Sequence, residues 1–89
     1  MQQKDIVIIN KLGLHARAAA KFVTLASQFE STVEVARNGQ TVNGKSIMGV
    51  MMLAASKGTT LTVSTEGLDE AEALQQLEAL ILDRFQEGE

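Results

Sequence analysis

Ser31-Thr32-Val33-Glu34-Val35-Ala36-Arg37-Asn38-Gly39-Gln40-Thr41-Val42-Asn43-Gly44-Lys45-Ser46 admits two readings, and they lead to different folds. From Gly39 to Ser46 it satisfies the pattern G-x-x-x-x-G-K-[ST] letter for letter, the phosphate-binding loop of a nucleotide-binding enzyme. From Ser31 to Asn43 it reads as a strand with Val33 and Val35 on one face, an Asn38-Gly39 turn suited to the positive φ angles of type I′, and a returning strand, Gln40 to Asn43. The hairpin has the better physical case. The first glycine of a phosphate loop follows a buried strand and its spacer wraps a phosphate, whereas Gly39 here occupies a turn and Thr41-Val42 prefer extended backbone. A chain of 89 residues is also too small for the parallel sheet of a nucleotide hydrolase, and no apolar strand ends in a convincing Mg²⁺-binding Asp.

With an antiparallel hairpin at its centre, the rest of the chain falls into place. Lys4 to Asn10 contains four successive β-branched residues, Ile6-Val7-Ile8-Ile9, and predicts a strand in the interior of a sheet. Ala19, Phe22, Val23, Ala26 and Phe29 recur at helical spacing, so a helix runs to about Phe29, with Arg17, Ala20, Lys21, Thr24 and Ser27 on its opposite face. Ser46 caps a second helix, Ile47 to about Ala55, weakened at Gly49 by about 1 kcal/mol relative to Ala. Thr60 to Thr65 alternates as a fourth strand with one wet face. Asp69 and Glu72 then form a capping-box-like start to a third helix, whose stripe is Ala73, Leu74, Leu77, Leu80, Ile81 and Phe85; Gln86 to Glu89 should fray. The order β-α-β-β-α-β-α predicts an α+β, two-layer open-faced sandwich: one four-stranded antiparallel sheet with three helices on one face, in a single domain over residues 1–89.

Composition excludes several function classes. One His and no Cys cannot build an ordinary zinc site, so no metal is expected. A net charge of −3 without a basic block, and three Phe with no Trp or Tyr, argue against a nucleic-acid surface. The longest apolar run is too short to span a bilayer and the first residues lack a signal-peptide pattern, so a soluble, cytoplasmic protein without membrane insertion is expected.

The one histidine stands where chemistry is possible. Lys11-Leu12-Gly13-Leu14 has no helical period, and Gly13 can turn the chain, which puts His15 near the N-cap of the first helix. A helix start carries unpaired backbone N–H groups and a partial positive charge, and both suit an anion such as a phosphoryl group. A neutral imidazole is a nucleophile, and Arg17 beside it can hold phosphoryl oxygens by charge-assisted hydrogen bonds.

Gly13-Leu14-His15-Ala16-Arg17 closely resembles the active-centre motif of the histidine-containing phosphocarrier proteins, the HPr family of the bacterial sugar phosphotransferase system, and the predicted element order resembles that family's along essentially the whole chain. The resemblance implies a phosphocarrier and not an enzyme: His15 accepts a phosphoryl group from enzyme I, itself charged by phosphoenolpyruvate, and passes it to enzyme IIA proteins, with Arg17 as phosphate partner. The N–H groups of Ala16, Arg17 and Ala18 at the helix start are expected to help hold the group. No bound cofactor is implied. The family has proline where this chain has Ala18; its absence loosens the first turn by about 0.4–1 kcal/mol through unfolded-state entropy, and activity is expected to survive.

Lys45-Ser46-Ile47-Met48-Gly49-Val50-Met51 is similar to the family segment whose serine is phosphorylated by a dedicated HPr kinase, which implies Ser46 as a regulatory site as well as a cap. If Val50, Leu53 and Ala54 face the sheet, then Ile47, Met48 and Met51 point outward beside Ala16 and Ala20 as a patch for partner docking, with Lys21 and Thr24 on the same side and Lys21, Lys45 and Arg17 as a positive rim. A monomer is expected. Two other readings stand beside this one: a carrier of the nitrogen-related phosphotransferase branch, and a regulatory binding module in which His15 is never phosphorylated.

Overall fold

The structure, a computed structural model, describes residues 1–88. Its elements are β1 (Gln2–Val7), α1 (Ala16–Ala26), β2 (Thr32–Arg37), β3 (Gln40–Asn43), α2 (Ile47–Met52), β4 (Thr60–Glu66) and α3 (Glu70–Leu82), followed by a short turn at Arg84–Gln86. The four strands form one sheet in the order β1-β4-β2-β3. Every neighbouring pair is antiparallel. The side chains of Ile6, Val33, Val35, Leu61, Val63 and Thr65 are buried beneath the helices. The opposite face is wet and laced by hydrogen bonds such as Thr62 to Asp5 at 2.7 Å and Ser64 to Gln3 at 3.2 Å.

The hairpin reading holds. Asn38 and Gly39 both have positive φ, 51° and 81°, and Val35 pairs with Val42 across the strands. A β3 that includes Val42 cannot also wrap a phosphate, so the phosphate-loop pattern from Gly39 to Ser46 is an accident of letters. Gly44 is a glycine for another reason: a Cβ there would come within 2.5 Å of Val33 Cγ1.

β1 lies at the edge of the sheet, not in its interior. The run Ile6-Val7-Ile8-Ile9 is not uniformly buried: Ile6 and Ile8 enter the core while Val7 is 44% exposed. The strand itself ends at Val7, and Ile8 goes on in extended form to exchange backbone hydrogen bonds with the loop at Gly58 and Thr59.

Two helix boundaries also move. α1 stops at Ala26, and the path to Phe29 is tightened by i→i−3 bonds from Gln28 to Leu25 and from Phe29 to Ala26. α2 stops at Met52, because Ala54 adopts a φ of 50° and the Arg37 guanidinium donates to the carbonyls of Leu53 and Ala54. That turn exposes Ala54 and buries Ala55, so Val50, Leu53 and Ala55 are the residues that fill the core here. At α3 the expected capping box does not form. The Asp69 carboxylate instead accepts hydrogen bonds from the Ser31 hydroxyl and from the N–H groups of Ser31 and Glu30, clamping the start of α3 to the start of β2; the Gly67 N–H is taken by Glu70, and Glu72 pairs with Gln76.

Phe85 is fully buried, as its place in the apolar stripe suggested, but it is not helical. Arg84, Phe85 and Gln86 have φ of 54°, 53° and 65°, a left-handed turn that points the chain back toward the start of α1. Burying a Phe is worth about 2–3 kcal/mol, which offsets part of the roughly 1–2 kcal/mol per residue that non-glycine residues lose in such a turn.

Candidate functional site

The loop before α1 is fixed by contacts that leave little choice of residue. Gly13 has φ +68°, its N–H bonds to Asn10 O at 3.2 Å, and Leu14 N–H bonds to Ala55 O at 2.8 Å. A Cβ on Gly13 would sit 2.4 Å from Ala55 O, so both the backbone angle and the close approach demand glycine. Asn10, fully buried, donates from Nδ2 to Gly13 O at 2.8 Å and ties the loop from inside.

His15 is the N-cap of α1, extended at φ −75° and ψ 178°, and its carbonyl accepts the Ala19 N–H at 2.9 Å. The N–H groups of Ala16, Arg17 and Ala18 precede that bond and have no acceptor within the helix. The imidazole does not supply one, since the His15 side chain makes no cap hydrogen bond. Its Nε2 meets the Glu87 carboxylate instead, 72 residues away in sequence. The other Glu87 oxygen accepts from Asn10 Nδ2 at 3.1 Å.

Gln86 and Glu87 are therefore not frayed, and Glu87 is the member of this site that the sequence reading missed; Glu89 lies outside the described residues. Burial tends to raise the Glu87 carboxyl, but the hydrogen bonds from His15 and Asn10, with the charges of His15 and Lys21, outweigh it and hold the group below the ordinary carboxylate range. Nothing in the local sequence Gln86-Glu87-Gly88 signals this contact. Asn10, a polar residue closing an apolar run just before a glycine turn, was the more legible partner.

His15, Ala16, Arg17 and Lys21 line one open cleft together with Lys11 and Glu87. Arg17, Ala20, Lys21 and Thr24 line an adjoining groove that reaches Leu80 of α3. The expected docking residues of α1 are thus continuous with the His15 cleft. Ile47, Met48 and Met51 are exposed on α2 at 44%, 73% and 39%, with Met52 joining them, but none lines either depression. The positive rim is narrower than expected. Lys21 stands in the cleft with its ammonium on Phe85 O at 2.8 Å, whereas Lys45 bonds Phe29 O at 2.8 Å and belongs to a different depression, beside Thr32 and Asn43.

Ser46 is the N-cap of α2, and its Oγ accepts the Gly49 N–H at 3.1 Å. Gly49, costly in the helix by propensity, has a packing reason: a Cβ there would meet Ser46 Oγ at 3.3 Å and Val42 Cβ at 3.4 Å. Among the described residues no cluster of His, Asp and Glu could hold a metal ion, and no helix is long and apolar enough to cross a membrane.

The family profile described as the PTS HPr component phosphorylation site matches residues 2–83, which include the Gly13 loop, His15 and Ser46. The chain belongs to the HPr family. It is 61% identical over 89 residues to the phosphocarrier protein HPr of Cupriavidus necator, covering 100% of both chains. Among solved structures it resembles HPr of Thermoanaerobacter tengcongensis, with a TM-score of 0.95 and 48% identity over 98% of each chain. A second structure from that organism, described as an HPr dimer, has a TM-score of 0.77 and 48% identity, covering 96% of this chain and 98% of that one. HPr architecture thus accounts for the sheet order and the three helices described above.

Proposed function

We propose that this HPr-family chain is a phosphoryl carrier in which His15 accepts the group from phospho-enzyme I and hands it to enzyme IIA proteins. The observation that supports this best is the unfilled start of α1. The N–H groups of Ala16, Arg17 and Ala18 have no acceptor within the helix, the His15 side chain does not use them, and Arg17 lines the same cleft as His15. Arg17 adds a guanidinium able to hold oxygens by two parallel hydrogen bonds. The chain supplies no chemistry of its own beyond this and acts as a substrate of its partners, as a monomer, with Ala16, Ala20, Lys21, Thr24, Ile47, Met48 and Met51 forming the surface they read. Methionines adapt to differently shaped partners, which suits a carrier that meets a donor and then several acceptors.

Ser46 is read as a regulatory site for an HPr kinase/phosphorylase. A phosphoserine adds about −1.5 to −2 charges at the start of α2, between Lys45 and the exposed Ile47 and Met48, which would repel an acidic partner without refolding the His15 loop. Ser46→Asp is expected to weaken enzyme I docking; unchanged affinity by titration calorimetry rejects that account.

The deciding experiment is intact-mass measurement after incubation with phosphoenolpyruvate and an active enzyme I. One phosphoryl adduct, lost on brief acid treatment and absent from His15→Ala, is the expected result. No adduct with several active enzymes I would leave the fold intact and favour a regulatory binding module.

A further inference from the structure

Methionine takes no part in the core of this molecule. The buried apolar side chains among the described residues are Ile, Leu, Val, Phe and Ala, and all four methionines lie at the surface. Methionine ordinarily fills irregular gaps inside a protein, so its exclusion from this core calls for a surface explanation. Met48, Met51 and Met52 all belong to α2, where they are 73%, 39% and 64% exposed, and only Met1 stands apart at the N-terminus. Helical spacing sets Ile47 beside Met51 and Met48 beside Met52, at i and i+4, while Val50 and Leu53 turn to the core. The result is a contiguous apolar patch on a helix that packs against α1, the helix opened by His15. The chain has no Cys, Trp or Tyr, so thioethers are the side chains that a mild oxidant attacks first, and three of the four stand in that patch.

We propose that Met48, Met51 and Met52 form an oxidation site at which hydrogen peroxide converts thioethers into sulfoxides and thereby weakens docking of the enzyme that loads His15. This rests on the carrier reading above and adds to it a modification of the surface that partners meet. In the step, the peroxide O–O bond breaks and one oxygen bonds to sulfur; the sulfur gives up two electrons, and the other oxygen leaves as water with both peroxide protons. The product is polar and chiral where the thioether was apolar and adaptable. A thiol-dependent reductase reverses the change, with two thiols oxidised to a disulfide and the oxygen released as water. Because these methionines face solvent, the added oxygens need no room inside the fold, and the core and the His15 loop stay as they are.

The test starts from the full chain treated with hydrogen peroxide, freed of oxidant, and checked by intact mass and peptide fragmentation for oxygen on Met48, Met51 and Met52. Phosphoryl uptake from phosphoenolpyruvate and untreated enzyme I is then measured against carrier concentration. The expected result is a KM for the carrier raised about tenfold with kcat nearly unchanged, since docking is weakened and the chemistry at His15 is not. The thermal unfolding midpoint should stay within about 2 °C of the untreated protein. Incubation with reductases for both sulfoxide epimers and a thiol should restore the KM. A variant carrying Met48→Leu, Met51→Leu and Met52→Leu keeps the apolar bulk without sulfur; whatever its own starting KM, peroxide should not change it, although Met1 is still oxidised. The reductase reversal provides the test should that variant unfold. An unchanged KM in fully oxidised wild type, an equal rise in the leucine variant, a rise that the reductases leave in place, or one accompanied by a lowered unfolding midpoint overturns the proposal. Failure of the carrier reading shows differently, as no uptake by the untreated wild type, and would remove the basis of this proposal with it.

Discussion

At Ser46 the side chain closes its own helix: Oγ accepts the Gly49 N–H at 3.1 Å, and the turn is complete within three residues. At His15, also an extended N-cap, the side chain turns away from the helix, leaves the first N–H groups of α1 unfilled, and is met by Glu87 from across the molecule. One helix start is satisfied locally, and the other is left incomplete and steadied by tertiary contacts. A satisfied cap adds stability but cannot receive an anion without first giving up a hydrogen bond. An open one keeps its donors for a ligand, at the cost of needing support from elsewhere.

The comparison can be broken most sharply at Gly13, on which the His15 start depends. Gly13→Ala combines a φ of +68° with a Cβ 2.4 Å from Ala55 O. It is expected to cost about 3 kcal/mol in urea unfolding, with disruption centred on the start of α1 rather than that of α2. Ser46→Ala removes only the local cap and should cost about 1 kcal/mol while leaving phosphoryl uptake at His15 unchanged, read by thermal unfolding and by intact mass. A large fall in uptake in that variant would mean that the two helix starts are coupled, contrary to the picture above. Ala18→Pro, in the first turn of α1, removes an N–H that precedes the first intrahelical bond and restricts the unfolded chain, so a gain of about 0.5 kcal/mol is expected in the same unfolding assay.

The smallest effect concerns acid. Glu87 is held below its ordinary value of 4.5, so its contribution to stability is fully present above about that pH and is lost as pH falls through the lower folded value. Asp69, held down first by the Ser31 hydroxyl and then by the Glu30 N–H, and Glu70, held down by the Gly67 N–H and by the amino group of Met1, act in the same direction. Stability should therefore decline below about pH 4.5 in wild type, and Glu87→Gln should flatten part of that decline and leave the rest. An identical acid profile in the two proteins would remove Glu87 from the network that steadies the His15 start.

The sequence by itself determined what depends on near neighbours. Alternation around Val33, Val35, Leu61 and Val63 placed the strand faces, Asn38-Gly39 determined the hairpin, and the letters around His15 and Ser46 marked two helix starts, because turn angles, side-chain alternation and capping act over two to four residues. Tertiary structure decided what depends on the chain meeting itself. It placed β1 at an edge, since a β-branched run looks alike whether one face or both are covered. It ended α2 at Met52, since Ala55 had to turn inward to hold Leu14. It diverted Asp69 from its own helix to Ser31, since three donors there outweigh the local cap. And it brought Glu87 to His15, because the burial of Phe85 fixes the direction of the turn that follows α3, and burial is a property of the assembled core that no short window of sequence contains.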